Sequence, residues 1–316
     1  MSTSRLIRWL WILFIAFIFL FCAEKFLIKP IIELVASQVI GARTTLGSFS
    51  LNILTHQIRI HNLQIFNEEG FPSKVFFSAP EIGVDIDLPA VLHGKLHFPL
   101  VIFHLDKMIV FRNAQGQLNV DQLKVVQQKL HDKTKGPVPN FQIDELKLNI
   151  EEVIVEDDSK TPALIEAYDL NLKDKTFHHI NGVGKLVGVV MVEALKPTAI
   201  QSAGVYAATT LLGVGFLPGL AIGIAVAKDD AVSDIPHGSS QVFQQSLELV
   251  KRLGKIKRMD QSAGQIFATV YGCDITIKIE SRGWNKASIV IKARKYFLPK
   301  PEIAAGLLYQ LKEELN

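Results

Sequence analysis

The chain has 316 residues, a formal net charge of +3 and 48% hydrophobic residues, enough for two modest domains plus membrane segments. So small a charge gives no reason to invoke nucleic acid as a partner. Cys22 and Cys273 are the only cysteines, and one lies in the N-terminal apolar run. The count excludes a cysteine-built metal site, and an intramolecular disulfide is not expected.

The chain opens on a basic flank (Arg5, Arg8) and an apolar run, residues 9–23, closed by Glu24, Lys25 and Lys29. A cleaved signal needs small residues before the cut, and Phe19-Leu20-Phe21-Cys22 supplies bulky ones. Phe21 also fits poorly before a lipid-bearing Cys22. The run is shorter than the roughly 20 residues that span comfortably. Phe26, Leu27 and Ile28 extend it, Trp9 and Trp11 sit at interfacial positions, and Arg5 and Arg8 favour a cytoplasmic N-terminus. The expectation is a membrane anchor over residues 1–29, with the next domain on the far side.

From Thr44 to about Ile180 the pattern is that of strands. Ile82, Val84, Ile86 and Leu88 alternate with Glu81, Gly83, Asp85 and Asp87, the period of a sheet with one apolar face. Val101, Phe103 and Leu105 begin another strand, and Leu164 to Leu172 a further one. Ile58 and Ile60 slip phase across His61–Asn62 to Leu63 and Ile65, and Leu146, Leu148 and Ile150 slip to Val153 and Val155; such slips imply bulges. Helices are expected at Ile31–Val39 and Val120–Leu130, the second capped by Asn119. With so few helices, the apolar face must be covered by the sheet curling on itself or by something apolar from outside.

Residues 203–227 carry no charge and exceed the length of a span. Gly215, Gly219 and Gly223 recur every fourth position, a smooth face suited to helix packing in a membrane, while Pro218 allows a kinked or re-entrant helix instead. Beyond lies a basic run, Lys251, Arg252, Lys255, Lys257 and Arg258, which reads as a solvated helix end and turn or as a contact for anionic headgroups. Residues 238–316 read as a small α+β domain: a helix to Leu253, strands at Gln265–Tyr271, Asp274–Glu280 and Ala287–Arg294, and a helix from Pro301 to Leu315.

No chemical motif stands out. Glu151–Glu152 and Asp157–Asp158 fit solvated faces, and the adjacent His178 and His179 point apart on a strand, so they do not share a metal. Neither a zinc-protease motif nor a phosphate loop nor a nucleophile elbow is present. No catalytic residue, metal or cofactor is expected.

The succession Asn62-Leu-Gln-Ile-Phe-Asn67-Glu-Glu-Gly70-Phe71-Pro72, then Ile82 to Leu88, Val91-Leu92-His93-Gly94-Lys95, Val101 to Val110 and Gly116-Gln117-Leu118-Asn119 resembles the N-terminal region of the AsmA family, over roughly residues 5–130. It departs at Glu68, where the family usually has Pro, and at Gln115. The resemblance implies a non-enzymatic, inner-membrane-anchored periplasmic protein of lipid transport, cell-envelope maintenance or outer membrane biogenesis. It also implies a β-groove with an apolar lining, membrane lipids as partners and other envelope proteins as further ones. A scaffold with a closed β-domain and no lipid cargo is the alternative. Residues 238–316 resemble, more weakly, a small envelope-lipoprotein domain of unknown function.

The fold class expected is therefore α+β. It comprises a membrane helix (1–29), a curved, mainly antiparallel, groove-like sheet (30–180), a helical stretch with the apolar segment (181–237) and the small domain (238–316). The groove would be lined by Ile82, Val84, Ile86, Leu88, Val101, Phe103 and Leu105. Asn67, Gly70, Phe71, Pro72 and Asn119 carry the family turn motif.

Overall fold

The alternating segments resolve into two sheets in the computed structural model, which describes residues 29–67, 71, 75–123, 141–198, 200 and 230–315. Helix α1 (Lys29–Ile40) leads into the first sheet. Its strands are β1 (Thr44–Thr45), β2 (Ser48–Asn52), β3 (Gln57–Phe66), β4 (Val75–Asp85), β5 (Leu96–Arg112), β6 (Phe141–Asp157) and β7 (Leu164–Asn181). A short helix α2 (Leu88–Leu92) joins β4 to β5, and α3 (Gly182–Leu195) follows β7. The spatial order is β1-β3-β4-β5-β6-β7, with β2 also on β3. All pairs are antiparallel except β5–β6.

The phase slips recur in neighbouring strands. On β5 the inward set runs Phe98, then Val101, Phe103, Leu105, then Met108 and Val110. On β6 it runs Ile143, then Leu146, Leu148, Ile150, then Val153 and Val155. The parallel register sets Phe98 beside Ile143, Leu105 beside Ile150 and Met108 beside Val153. Both strands thus slip together, and one face stays continuously apolar where a lone slip would turn half the strand outward. Pro80 and Pro99, which lack a ladder N–H, sit at two of the slips. On β3 the slip falls at Asn62, whose φ of 52° is a left-handed conformation that Asn tolerates.

The second sheet contains β8 (Asp230–Ile235), β9 (Gly254–Asp260), β10 (Gln265–Val270), β11 (Cys273–Gly283), β12 (Lys286–Lys295) and β13 (Leu298–Pro299). Their order is β13-β12-β11-β10-β9, with β8 also on β12. Its inner face (Ile266, Ala268, Val270, Ile275, Ile277, Ile289, Ile291) is buried under α4 (Ser239–Leu253) and α5 (Pro301–Leu315). Helix α5 touches both sheets. Ile303, Leu307 and Leu311 enter the second core, while Ala305 and Tyr309 pack on Ile109, Ile154 and Ala167 of the first sheet. A Cβ built on Gly306 would lie 2.1 Å from the Ile165 carbonyl oxygen, so only glycine permits this approach.

Several expectations need correction. The first sheet runs open from its β1/β2 edge to β7; it is neither curved into a groove nor closed, and helices cover its apolar face instead. That removes both the groove-like fold and the closed β-domain of the scaffold alternative. Among the described residues, no helix is long and apolar enough to cross a membrane. The membrane helix, the inner-membrane and periplasmic placement and the anchored envelope function are corrected on that finding. The runs 9–23 and 203–227 that suggested them, with Gly215, Gly219 and Gly223, lie outside the described residues. The strand expected through Leu88 stops at Asp85, because Asp87 caps α2 by accepting a bond from the Ala90 N–H at 3.1 Å. Where a helix is expected from Val120 to Leu130, the described residues form a 3-10 turn, Asn119–Gln122, without a side-chain cap, and residues 124–130 lie outside the described residues. The basic run leads from the end of α4 into strand β9 rather than into a turn.

Candidate functional site: an apolar cavity over the first sheet

The continuous apolar face produced by the matched slips does not pack solidly against its helices. Between them lies a cavity of about 380 Å³, within the ~300–1,000 Å³ typical of small-molecule sites. The sheet supplies Phe49, Ile58, Ile60, Leu63, Ile65, Phe76, Phe77, Ile82, Val84, Phe98, Val101, Phe103, Met108, Phe141 and Ile143. Helix α1 adds Ile32 and Ile40, α3 adds Val183, Leu186, Val187, Val190 and Met191, and Leu123 completes the wall. Every one of these side chains is apolar. Phe77 and Phe103 meet at 5.7 Å between ring centroids, and Phe98 and Phe141 at 5.9 Å. Met108 and Met191 add unbranched, polarizable surface that adapts to an occupant's shape.

A closed void of this size would cost on the order of 9 kcal/mol, at ~24 cal/mol per Å³. That is comparable to the whole stability of a typical domain, ~5–15 kcal/mol. The lining offers no donor, acceptor or charge, so it cannot order water or stabilise a charged transition state. What it can do is remove hydrocarbon from water, worth ~0.8 kcal/mol per methylene.

Of the residues expected to line a groove, Ile82, Val84, Val101 and Phe103 do line this cavity. Leu105 is fully buried in the adjoining core. Ile86 lies beyond the end of β4, and Leu88 opens α2. The α3 contribution was missed, although Val183, Leu186, Val187, Val190 and Met191 carry the three- and four-residue spacing of a helix face. Of the family turn motif, Gly70 and Pro72 lie outside the described residues. The others act in the framework. Asn119 Nδ2 donates to the Asn67 side chain and to the Ile109 carbonyl, each at 2.9 Å, and its Oδ1 accepts from the Phe111 N–H at 2.9 Å. Phe71 stacks edge-on against Phe111 at 5.5 Å. Asn119 therefore fastens the end of β5 instead of capping a helix.

The titratable groups lie elsewhere. His97 is held between Asp87 (Nδ1, 2.8 Å) and Asp144 (Nε2, 2.8 Å). The Asp87 bond, then the Asp144 bond, raises the imidazole pKa above its ordinary 6.5. His97 lowers the carboxyl pKa of Asp87, as Gln142 and then His97 lower that of Asp144. With both ring nitrogens taken, this histidine has no free nitrogen to accept a substrate proton; it ties α2, β5 and β6 together. Glu152 and Asp157 depart from the solvated reading. Burial raises the Glu152 pKa, and Asp157 is buried and accepts from the Ser159 N–H. His178 and His179 have rings 6.4 Å apart and belong to no metal-binding group among the described residues. Cys273 is buried, which raises its thiol pKa and suppresses its reactivity.

No family model, curated protein or solved structure matches the chain.

Proposed function

We propose that this protein is a non-catalytic binding protein for an apolar small molecule, of the class of a single lipid acyl chain, held in the cavity over the first sheet. The observation that supports it is the wholly apolar lining of a ligand-sized cavity. About ten methylenes contribute ~8 kcal/mol of transfer free energy, less the cost of ordering the chain. That is affinity without chemistry, and no lining side chain can attack or move a proton. The resemblance of residues 5–130 to the AsmA N-terminal region bears only on the ligand, favouring hydrocarbon.

The test is uptake of a fluorescent fatty-acid analogue by the full chain and by Val187→Trp, which fills the cavity from α3. The filled variant is expected to lose about tenfold or more in affinity while melting at or above the parent temperature. Equal uptake by both proteins overturns the proposal. So does cross-linking that places the chain's own residues 203–227 against Phe103.

A further inference from the structure

The hairpin joining β12 to β13 has an unusual turn, in which neither central residue is glycine. Lys295 pairs with Leu298, so Tyr296 and Phe297 form a two-residue turn. Both have positive φ, 48° and 69°. Such turns favour Asn-Gly, because a Cβ is strained there. Here two bulky rings take the strain and gain no packing: Tyr296 is 86% exposed, Phe297 93%, and the neighbouring Leu298 68%. A strained, convex, solvent-facing apolar tip is unexplained by folding.

The sheet topology gathers positive charge around it. The end of β12 lies beside the start of β11, where Arg294 faces Asp274. Beyond that come the end of β10 and the start of β9, where Lys255 faces Thr269. The basic run noted in the sequence thus arrives at the same end of the sheet as the aromatic tip. Lys255, Lys257, Arg294, Lys295 and Lys300 stand there against Asp274, which Lys257 bonds at 2.5 Å, and Glu302, 3.3 Å from Lys300. The opposite end of β12 bears Trp284, fully exposed, but there Asp234, Asp260 and Glu280 offset Lys278, Arg282 and Lys286, with Lys286 on Asp234 at 2.8 Å and Lys278 on Glu280 at 2.7 Å.

We infer that the Tyr296–Phe297–Leu298 tip inserts into the interface of an anionic lipid bilayer, with the surrounding lysines on the headgroups. Aromatic rings partition to that interface, and each nearby Lys or Arg adds attraction to anionic lipid. A protruding tip suits a deformable surface, whereas a protein partner would have to present a pocket for it. The contact is peripheral and needs no spanning helix.

The test places an environment-sensitive fluorophore on Leu298→Cys in the full chain carrying Cys22→Ser, mixed with phosphatidylcholine vesicles with and without phosphatidylserine. A second probe on Asn285→Cys reports the Trp284 end. Expected are burial and quenching by lipid-borne quenchers at 298 but not at 285, with affinity at least about tenfold higher for the anionic vesicles and lost on Lys295→Glu with Lys300→Glu. Tyr296→Asn with Phe297→Gly relieves the turn, so it is expected to raise the melting temperature while abolishing the signal at 298. An equal response at 285, no preference for anionic vesicles, or a signal that survives the Asn-Gly turn overturns the inference. Burial of the probe without vesicles that rises with protein concentration assigns the tip to a second copy and equally overturns it.

Discussion

The two sheets solve the same problem with different completeness. Each has one apolar face and two principal helices to cover it. Under α4 and α5 the inward Ile, Val and Ala side chains of β10, β11 and β12 are nearly all inaccessible, and so are Leu249, Leu307 and Leu311 opposite them. Over the first sheet, α1 has no buried residue, and Ile31 and Leu34 stay more than half exposed. Helix α3 covers the face only in part, and the cavity remains. An apolar pattern therefore dictates which face is hidden. Whether the hiding is solid or leaves room depends on how closely the covering helix can approach. Gly306 brings α5 onto a strand backbone, whereas α3 carries Val183, Val187 and Val190 on the side that lines the cavity.

The sharpest way to break this contrast is to delete the same atoms on each side. Leu307→Ala, in the second core, is expected to cost ~2–5 kcal/mol. Leu186→Ala, at the cavity wall, is expected to cost about 1 kcal/mol or less, since part of its surroundings is already vacant. Urea unfolding of both variants measures the difference, and equal costs would mean the first sheet is packed as solidly as the second. Next in size is Gly306→Ala. It pushes α5 off the Ile165 carbonyl at an expected cost of ~1–3 kcal/mol, visible as a lower melting temperature and faster amide exchange along β7.

A third test concerns the His97 clamp, which stiffens the end of the cavity sheet and has no counterpart in the second unit. His97 has a raised pKa, so its contribution is complete below 6.5 and is lost as pH rises through the higher folded value. Asp87 and Asp144 have lowered values, so theirs is present above 3.8 and is lost as pH falls through the folded values. The clamp is strongest between about pH 4 and 6.5. His97→Gln is expected to flatten the melting-temperature profile above pH 6, and an unchanged profile would remove the clamp's role. The smallest effect is expected from Glu156→Gln. Burial raises this carboxyl's pKa, with Asp158 and Glu313 adding repulsion, so removing its charge should raise the melting temperature slightly at neutral pH.

Much of the second unit was legible. Alternation at Ile275, Ile277 and Ile279, the glycines at 272 and 283 and the proline at 301 mark elements whose edges agree closely with β11, β12 and α5. These signals are local, and there local geometry and burial agree. Strand β8 was missed because its Ala231-Val232 pattern is too short to carry a period. In the first unit the slip at Asn62 and the slip after Ile150 were both visible. That β5 and β6 would be parallel and slip together was not, because register belongs to pairs of strands rather than to either alone.

The site divides in the same way. The residue pattern by itself determined that Ile82 and Val84 share one face of β4, and Val101 and Phe103 one face of β5, because a two-residue period is a property of a single strand; the register Ile82–Phe103 and Val84–Val101 joins the two into one apolar face. Only the tertiary structure decided that this face is covered by α1 and α3 rather than by the sheet curling on itself, and that the cover leaves a cavity. The gap between a helix and a sheet is set by side chains from segments far apart in the chain, and no period within one segment encodes it.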